Sequence, residues 1–309
     1  MEQADPSAPL DPGTQSLKAS DLLFLSDLVS TEMDDVLVWW EKVPALRRGE
    51  IVSRLVEIAE ENADLDFHTF FCYCVNDPDL TIRKEAIGGL WESEDRSIIA
   101  LLVDRLANDD HADVRAAAAL GLGQFALLAQ QGKLLPRDGA RVWQALREAL
   151  CKGDEQLAVR RRALESTGAL LFEEVSEWVM WGYQSEDTDL RQSALCAMGR
   201  SCDSSWLPLI LREMHNGDPA MRYEAANACR EMGDDEAVPH LATLVDDDDL
   251  QVQLAAIQAL GSIGGAHAKK LLRLYAHSTM SDDSIREAAE VALEMTELEE
   301  APIHFRMGH

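Results

Sequence analysis

At 309 residues the chain has room for two globular domains, or for one elongated array of units that bury their apolar faces on one another. Hydrophobic residues make up 47% and aromatic residues 6%, the composition of packed helices and not of a disordered chain. With 28 Lys plus Arg against 56 Asp plus Glu, the net charge of -28 disfavours nucleic acid and anionic membrane surfaces as ligands and favours basic partners.

Met1 to Gln15 is polar, acidic and proline-containing, without the basic flank and apolar run of a signal peptide, so residues 1–19 are expected to form a disordered tail. No apolar stretch in the sequence approaches the roughly 18 residues that span a bilayer, which predicts a cytoplasmic protein with no membrane partner. Six cysteines are scattered without the spacing of a disulfide framework, so reduced thiols are expected. On a helix, Cys72 and Cys74 point about 200° apart, which is poor geometry for a shared metal.

Residues 20–62 read as an N-terminal helical cap, with helices over Ser20 to Leu28, Thr31 to Lys42 and Leu46 to Glu61, punctuated by Pro44. A terminal repeat needs such a cap to cover its open face, and Trp39 and Trp40 are expected to be buried in it.

From there a motif recurs seven times: an acidic turn, an aliphatic residue, usually Arg, then alanine three positions on, followed by a small and an apolar residue. The anchors are Arg83, Arg115, Arg160, Arg191, Arg222, Gln253 and Arg286, spaced 32, 45, 31, 31, 31 and 33 residues apart. The position before each is aliphatic (Ile82, Val114, Val159, Leu190, Met221, Val252, Ile285). The position three after is always alanine (Ala86, Ala118, Ala163, Ala194, Ala225, Ala256, Ala289), and the position six after is Gly, Ser or Ala. Offsets of -1, +3 and +7 share one helical face, so each block is the buried second helix of a pair, capped by the preceding Asp or Asn. The first helices are the apolar runs Ile98 to Leu106, Val142 to Leu150, Leu207 to Met214, Val238 to Val245 and Ala268 to Tyr275, and the small column lets neighbouring helices approach closely. The 45-residue interval exceeds the regular 31 by 14, placing an insertion near residues 124–141: a prolonged helix to Gln131, then a loop over Gly132 to Gly139. The array is predicted over residues 63–296, followed by a tail over residues 297–309.

The D-x-x-V-R-x-x-A-A-x-A-L-G pattern resembles the HEAT repeat of the bilin lyase (PBS lyase) subclass, across about Asp66 to Glu294. The resemblance implies an all-α fold, a right-handed α-α superhelix, or solenoid, of HEAT-like helical hairpins. Departures are Gln253 for the Arg, and Trp91, Arg230 and Glu294 for the terminal glycine. In such repeats the Arg joins a ladder with turn acids of neighbouring repeats, here expected to be Asp79, Asp187, Asp218, Asp249 and Asp282.

For chemistry, the sequence offers little. One HEAT-like enzyme family, deoxyhypusine hydroxylase, holds a di-iron centre through His-Glu pairs, and none of the eight histidines here is followed by Glu. There is no HExxH, paired Cys-x-x-Cys, phosphate loop or nucleophile elbow. Asp246 to Asp249 reads as a capping turn, since a calcium loop needs alternating ligands, a glycine bend and a distal Glu. The expectation is a chain that is not an enzyme, with no catalytic, cofactor-binding or metal-binding residues.

If -1, +3 and +7 face inward, rows +1 and +5 face outward on the concave wall. They mix Arg, Gln, Tyr, Asn and Leu where a purely solvated face would be charged throughout. The candidate partner-binding strip is Arg161, Gln192, Arg200, Tyr223, Asn227, Leu254 and Gln258, with Trp178, Trp181 and Tyr183 assigned to core. The resulting expectation is a protein-binding scaffold or adaptor for a basic protein or peptide, with no nucleic acid and no cofactor. The family resemblance implies as an alternative a tetrapyrrole (bilin) lyase-like subunit.

Overall fold

Several second helices start where a short acidic turn satisfies the backbone N–H groups that a helix leaves open. The Asp79 carboxylate accepts from Thr81 N at 2.8 Å, Asp187 from Leu190 N at 2.8 Å, Asp218 from Ala220 N at 3.0 Å, and Asp249 from Gln251 N and Val252 N at 2.9 and 3.2 Å. The computed structural model describes residues 18–277 and 282–300. The disordered tail expected over residues 1–19, apart from its last two residues, and the segment 301–309 lie outside the described residues.

The described elements are all helical. In chain order they are α1 (Ser30–Trp40), α2 (Ala45–Glu61), α3 (His68–Cys74), α4 (Leu80–Gly89), α5 (Ile98–Asn108), α6 (Ala112–Gln130), α7 (Pro136–Cys151) and α8 (Leu157–Thr167). They continue as α9 (Glu173–Tyr183), α10 (Thr188–Ser201), α11 (Leu207–Glu213), α12 (Pro219–Met232), α13 (Val238–Leu244), α14 (Leu250–Ile263), α15 (Gly265–Ala276) and α16 (Asp283–Glu300). Two compact units divide the chain between Ser166 and Thr167. In the first, α3 packs on α4 and α5 on α6, with α2, α4 and α6 side by side. In the second, α9, α11, α13 and α15 pair with α10, α12, α14 and α16, and these last four lie side by side.

The motif columns form the core. Ile82, Val114, Val159, Leu190, Met221, Val252 and Ile285 are at most 3% exposed, and all seven alanines of the +3 column are fully buried. The terminal glycine has a separate task. A Cβ on Gly199 would lie 2.6 Å from Ala228 Cα, one on Gly168 2.6 Å from the Ala197 carbonyl oxygen, and one on Gly261 2.9 Å from Ala292 Cβ. The glycine of one repeat therefore faces the small +6 residue of the next, and the pair sets how closely the second helices approach.

The Arg column forms the expected ladder, but on different acids. Arg83 grips Asp109 with Nε and Nη2 at 2.8 and 2.9 Å while its Nη1 donates to the Asp77 carbonyl at 2.9 Å. Arg222 does the same to Asp247, at 2.7 and 2.7 Å, and to the Asn216 carbonyl at 2.9 Å. Arg115 reaches Glu155 at 2.6 Å and Arg191 reaches Glu213 at 3.3 Å. The expected partners Asp79, Asp187, Asp218 and Asp249 are helix caps instead, and Asp282 accepts from Ser284 N at 3.0 Å. In two of these turns, Asp77/Asp79 and Asp247/Asp249, the receiving residue sits two positions before the cap.

Two further expectations are corrected. Ser20 to Leu28 is not a helix but two 3-10 turns, Ala19–Asp21 and Leu23–Leu25. Asp27, at φ 55, breaks the run and donates its N–H to the Asp66 carbonyl at 2.7 Å. The insertion is not an eight-residue loop either. Gly132, at φ 71, ends α6, and Pro136 opens α7, so the extra residues lengthen two helices. Contrary to the composition reading, α6 is long and apolar enough to cross a bilayer by length and composition, although within its unit it packs on α4, α5 and α7.

Two measurements test this packing. Replacing Gly199 by Ala forces a Cβ into the backbone of α12 and is expected to cost about 1–3 kcal/mol in urea unfolding. The Arg222 guanidinium holds the Asp247 carboxyl below the usual carboxylate range, against the opposing effect of burial and aided by the Asp249 N–H. Since the folded carboxyl titrates lower than the unfolded one, its contribution is complete above the ordinary value of 3.8 and is lost as the pH falls through the lowered folded value. Arg222→Gln is expected to lose about 2 kcal/mol at neutral pH, and the gap from the parent chain to close as unfolding is measured from pH 5 downward. A gap that stays constant with pH would mean that the pair does not carry the effect.

Candidate functional site

The strip residues project from second helices. Arg161 is half-buried on α8, at the end of the first unit. In the second unit, Gln192 and Arg200 are half-buried on α10, Tyr223 is 37% exposed and Asn227 half-buried on α12, and Leu254 is half-buried and Gln258 exposed on α14. Because α10, α12 and α14 pack side by side, six of the seven residues occupy neighbouring helices of one unit. The α8 position is different: Glu165, expected to face outward in row +5, is 5% exposed and pairs with Arg162 at 2.7 Å.

The tryptophans divide. Trp40 is 1% exposed, with its Nε1 donating to Asp77 at 3.3 Å and Arg48 lying 5.7 Å from its ring centroid, so the N-terminal helices extend the ladder to Asp77 through Arg48 at 2.7 Å. Trp39 is half-buried. Tyr183 is buried and donates to Glu213, whereas Trp181 is 38% exposed and is not the core residue the sequence suggested. Around Glu213, burial pushes the carboxyl up, and the hydrogen bonds from Tyr183 and Asn216 with the charges of Arg191 and Arg212 bring it below its ordinary value.

One polar cluster is invisible in the sequence. His68 Nε2 lies 3.5 Å from Cys72 Sγ and 3.4 Å from Asp95 Oδ2, and His68 Nδ1 lies 3.1 Å from Ser93 Oγ. His68 and Cys72 share one face of α3, four residues apart, but Ser93 and Asp95 arrive from the α4–α5 turn. Burial, with Asp95 and Asp66 nearby, pushes the Cys72 thiol up to about 11, which keeps it protonated and unsuited to nucleophilic attack near neutral pH. The cluster pins the turn to α3. Among the described residues no group of three or more His, Cys, Asp and Glu side chains is arranged to hold a metal ion.

The family model described as HEAT repeats matches residues 70–150, 176–261 and 207–294. A deoxyhypusine hydroxylase from Neurospora crassa is 27% identical over 157 residues, covering 50% of this chain and 41% of that protein. The chain thus spans about two fifths of the length of that relative. Among solved structures, human deoxyhypusine hydroxylase in complex with glycerol aligns at 20% identity over 83% of this chain and 92% of the other, with a TM-score of 0.40. The complex of CpcE and CpcF of phycocyanin lyase from a Nostoc species aligns at 15% identity over 74% and 94%, with a TM-score of 0.49. The Neurospora relative corrects the expectation that the chain is not an enzyme. A protein named as an enzyme aligns with half of this chain at 27% identity, and the lack of a sequence motif is no ground for a non-catalytic reading.

Thiol chemistry offers a direct check on the geometry. Burial raises Cys72 to about 11 and Cys229 to about 12, and raises Cys74 further, while Cys151 is exposed. Iodoacetamide at mild alkaline pH is expected to label Cys151 well before Cys72, Cys74 or Cys229, read by peptide mass spectrometry against time.

Proposed function

This chain belongs to the HEAT-repeat family, and from that premise we propose that it binds a segment of a partner protein, of basic character, on the outward face of its second helices. The observation that carries the reading is the accessibility of Tyr223 and Gln258, flanked by Asn227 and Leu254, on helices that the packing columns hold side by side. Those positions are not needed for the core, yet they are not the uniformly charged residues of a solvated face. Tyr and Arg supply large contact area with a polar tip, the usual make-up of the residues that dominate binding energy. The excess of 28 acidic groups over basic ones speeds encounter with a basic partner and repels an acidic one.

A cytoplasmic setting belongs to the same reading, since the cysteines lack the spacing of a disulfide framework.

The test is affinity capture from the source cells with the full chain and with Arg161→Ala, Tyr223→Ala and Leu254→Ala combined. The triple variant is expected to keep the unfolding midpoint within about 1 kcal/mol and to lose its main captured protein by about tenfold or more. An unchanged set of captured proteins would sink the strip as the binding surface.

A further inference from the structure

In the second unit the outward face changes character from one helix to the next. On α10 it carries Gln192 and Arg200, on α12 Tyr223 and Asn227, and on α14 Leu250, Leu254 and Gln258. On α16 it carries Glu287, Glu290 and Glu294, all exposed, with Asp283 at the start of the helix at 90% side-chain exposure. Beside these acids Val291 is 52% and Met295 58% exposed, although Ile285, Ala289 and Ala292 of the same helix are buried against the unit. Residues 283, 287, 290 and 294 follow steps of three or four, so they line one stripe about 16 Å long, with Val291 and Met295 on its flank.

We infer that the α16 face receives a basic amphipathic helix of the partner, with Lys or Arg side chains over Glu287, Glu290 and Glu294 and apolar side chains over Val291 and Met295. This rests on the strip reading above and gives the bound segment a polarity: its basic helical stretch lies along α16, and its uncharged remainder crosses α14 and α12 toward Arg200.

Three features favour that occupant. The acids carry no cap or ladder role, apart from Asp283, which pairs with Arg286 one turn on. Helix spacing on α16 is matched rung for rung only by a partner with the same period of three to four residues. The apolar pair lies along one flank of the charged stripe, so a helix seated over the stripe desolvates Val291 and Met295 on that side while the charges steer association and set register. A row of like charges with two half-exposed apolar residues is also costly to leave uncovered, since it combines self-repulsion with wetted apolar surface.

The probe is a fluorescein-labelled peptide of about 18 residues, Lys, Leu and Ala in helical period, titrated with the full chain by anisotropy at about 150 mM salt. Glu287→Lys with Glu290→Lys is expected to weaken binding at least about tenfold. Glu173→Lys with Glu177→Lys, two exposed acids on α9 of the same unit, changes net charge equally and is expected to weaken it less than about twofold. Val291→Ser with Met295→Ser is expected to weaken binding with the salt dependence unchanged. Equal loss from the α9 pair would reduce the effect to unspecific attraction to an acidic protein and overturn the inference. So would displacement of the probe by a free peptide of residues 301–309, or a dimer in light scattering that Val291→Ser with Met295→Ser dissolves, because the face would then belong to the chain's own tail or to a second copy. The two readings separate cleanly. If Tyr223→Ala and Leu254→Ala leave the captured proteins unchanged while the α16 variants still weaken the peptide, the strip fails; the reverse pattern leaves the strip standing and removes the polarity.

Discussion

The arrangement of each unit depends on one guanidinium making two kinds of bond. Arg83 and Arg222 each donate Nη1 to a carbonyl of their own turn and the Nε/Nη2 fork to a carboxylate of the next repeat. The same contact thus fixes the turn between the paired helices and the register of one hairpin on its neighbour. Arg suits the task because its donors are planar and rigid; a lysine could neutralise Asp109 or Asp247 but could not also hold the carbonyl at a fixed angle. The acids themselves are 2% and 8% exposed, so the pair's net worth is modest against a well-packed apolar alternative, and its main effect is to make other registers leave a charge buried and unpaired. Gln253 shows the two halves apart: it keeps the bond to the Asp247 carbonyl at 2.7 Å and gives up the fork.

With register fixed by the ladder and helix approach fixed by the glycine facing the small residue, the exposed outward positions are released from the core, unlike Glu165, which is buried and paired with Arg162. Tyr223 and Leu254 stand on the same kind of helix, at the same offset, as Gln192 and Glu287, and each can be replaced without disturbing the alanine column beneath. A repeat fold separates what holds it together from what it presents, and this is why the fold argues weakly for any particular activity.

That separation also explains what could be read from the sequence. The alanine and aliphatic columns repeat because every hairpin solves the same packing problem, so the helical faces and the pairing were legible from spacing alone. The ladder acids were misassigned because Asp77 and Asp79, or Asp247 and Asp249, lie two residues apart in the same turn and have the same chemistry. Backbone direction decides which one caps the helix and which one receives the Arg, and spacing does not record direction. Features that occur once were lost for the same reason: the αL residue Asp27 that ends the 3-10 turns, the buried Glu165, and the His68 cluster, whose Ser93 and Asp95 come from a distant turn. The relation to a hydroxylase was set aside because no histidine is followed by Glu, yet similarity to one extends over 157 residues at 27% identity.

The charge of the chain looks different once its acids are sorted by task. Asp79, Asp187, Asp218 and Asp249 are occupied with helix N-termini, and Asp77, Asp109, Glu155, Glu213 and Asp247 with guanidinium groups. Each is already neutralised, or half so by a helix dipole, and contributes little to the field a partner meets. A net charge of -28 therefore says less about binding than its size suggests. What matters is where acids remain without a structural task next to apolar surface, and on the second helices of the second unit that condition is met at Glu287, Glu290 and Glu294 of α16, not at the acid-rich turns.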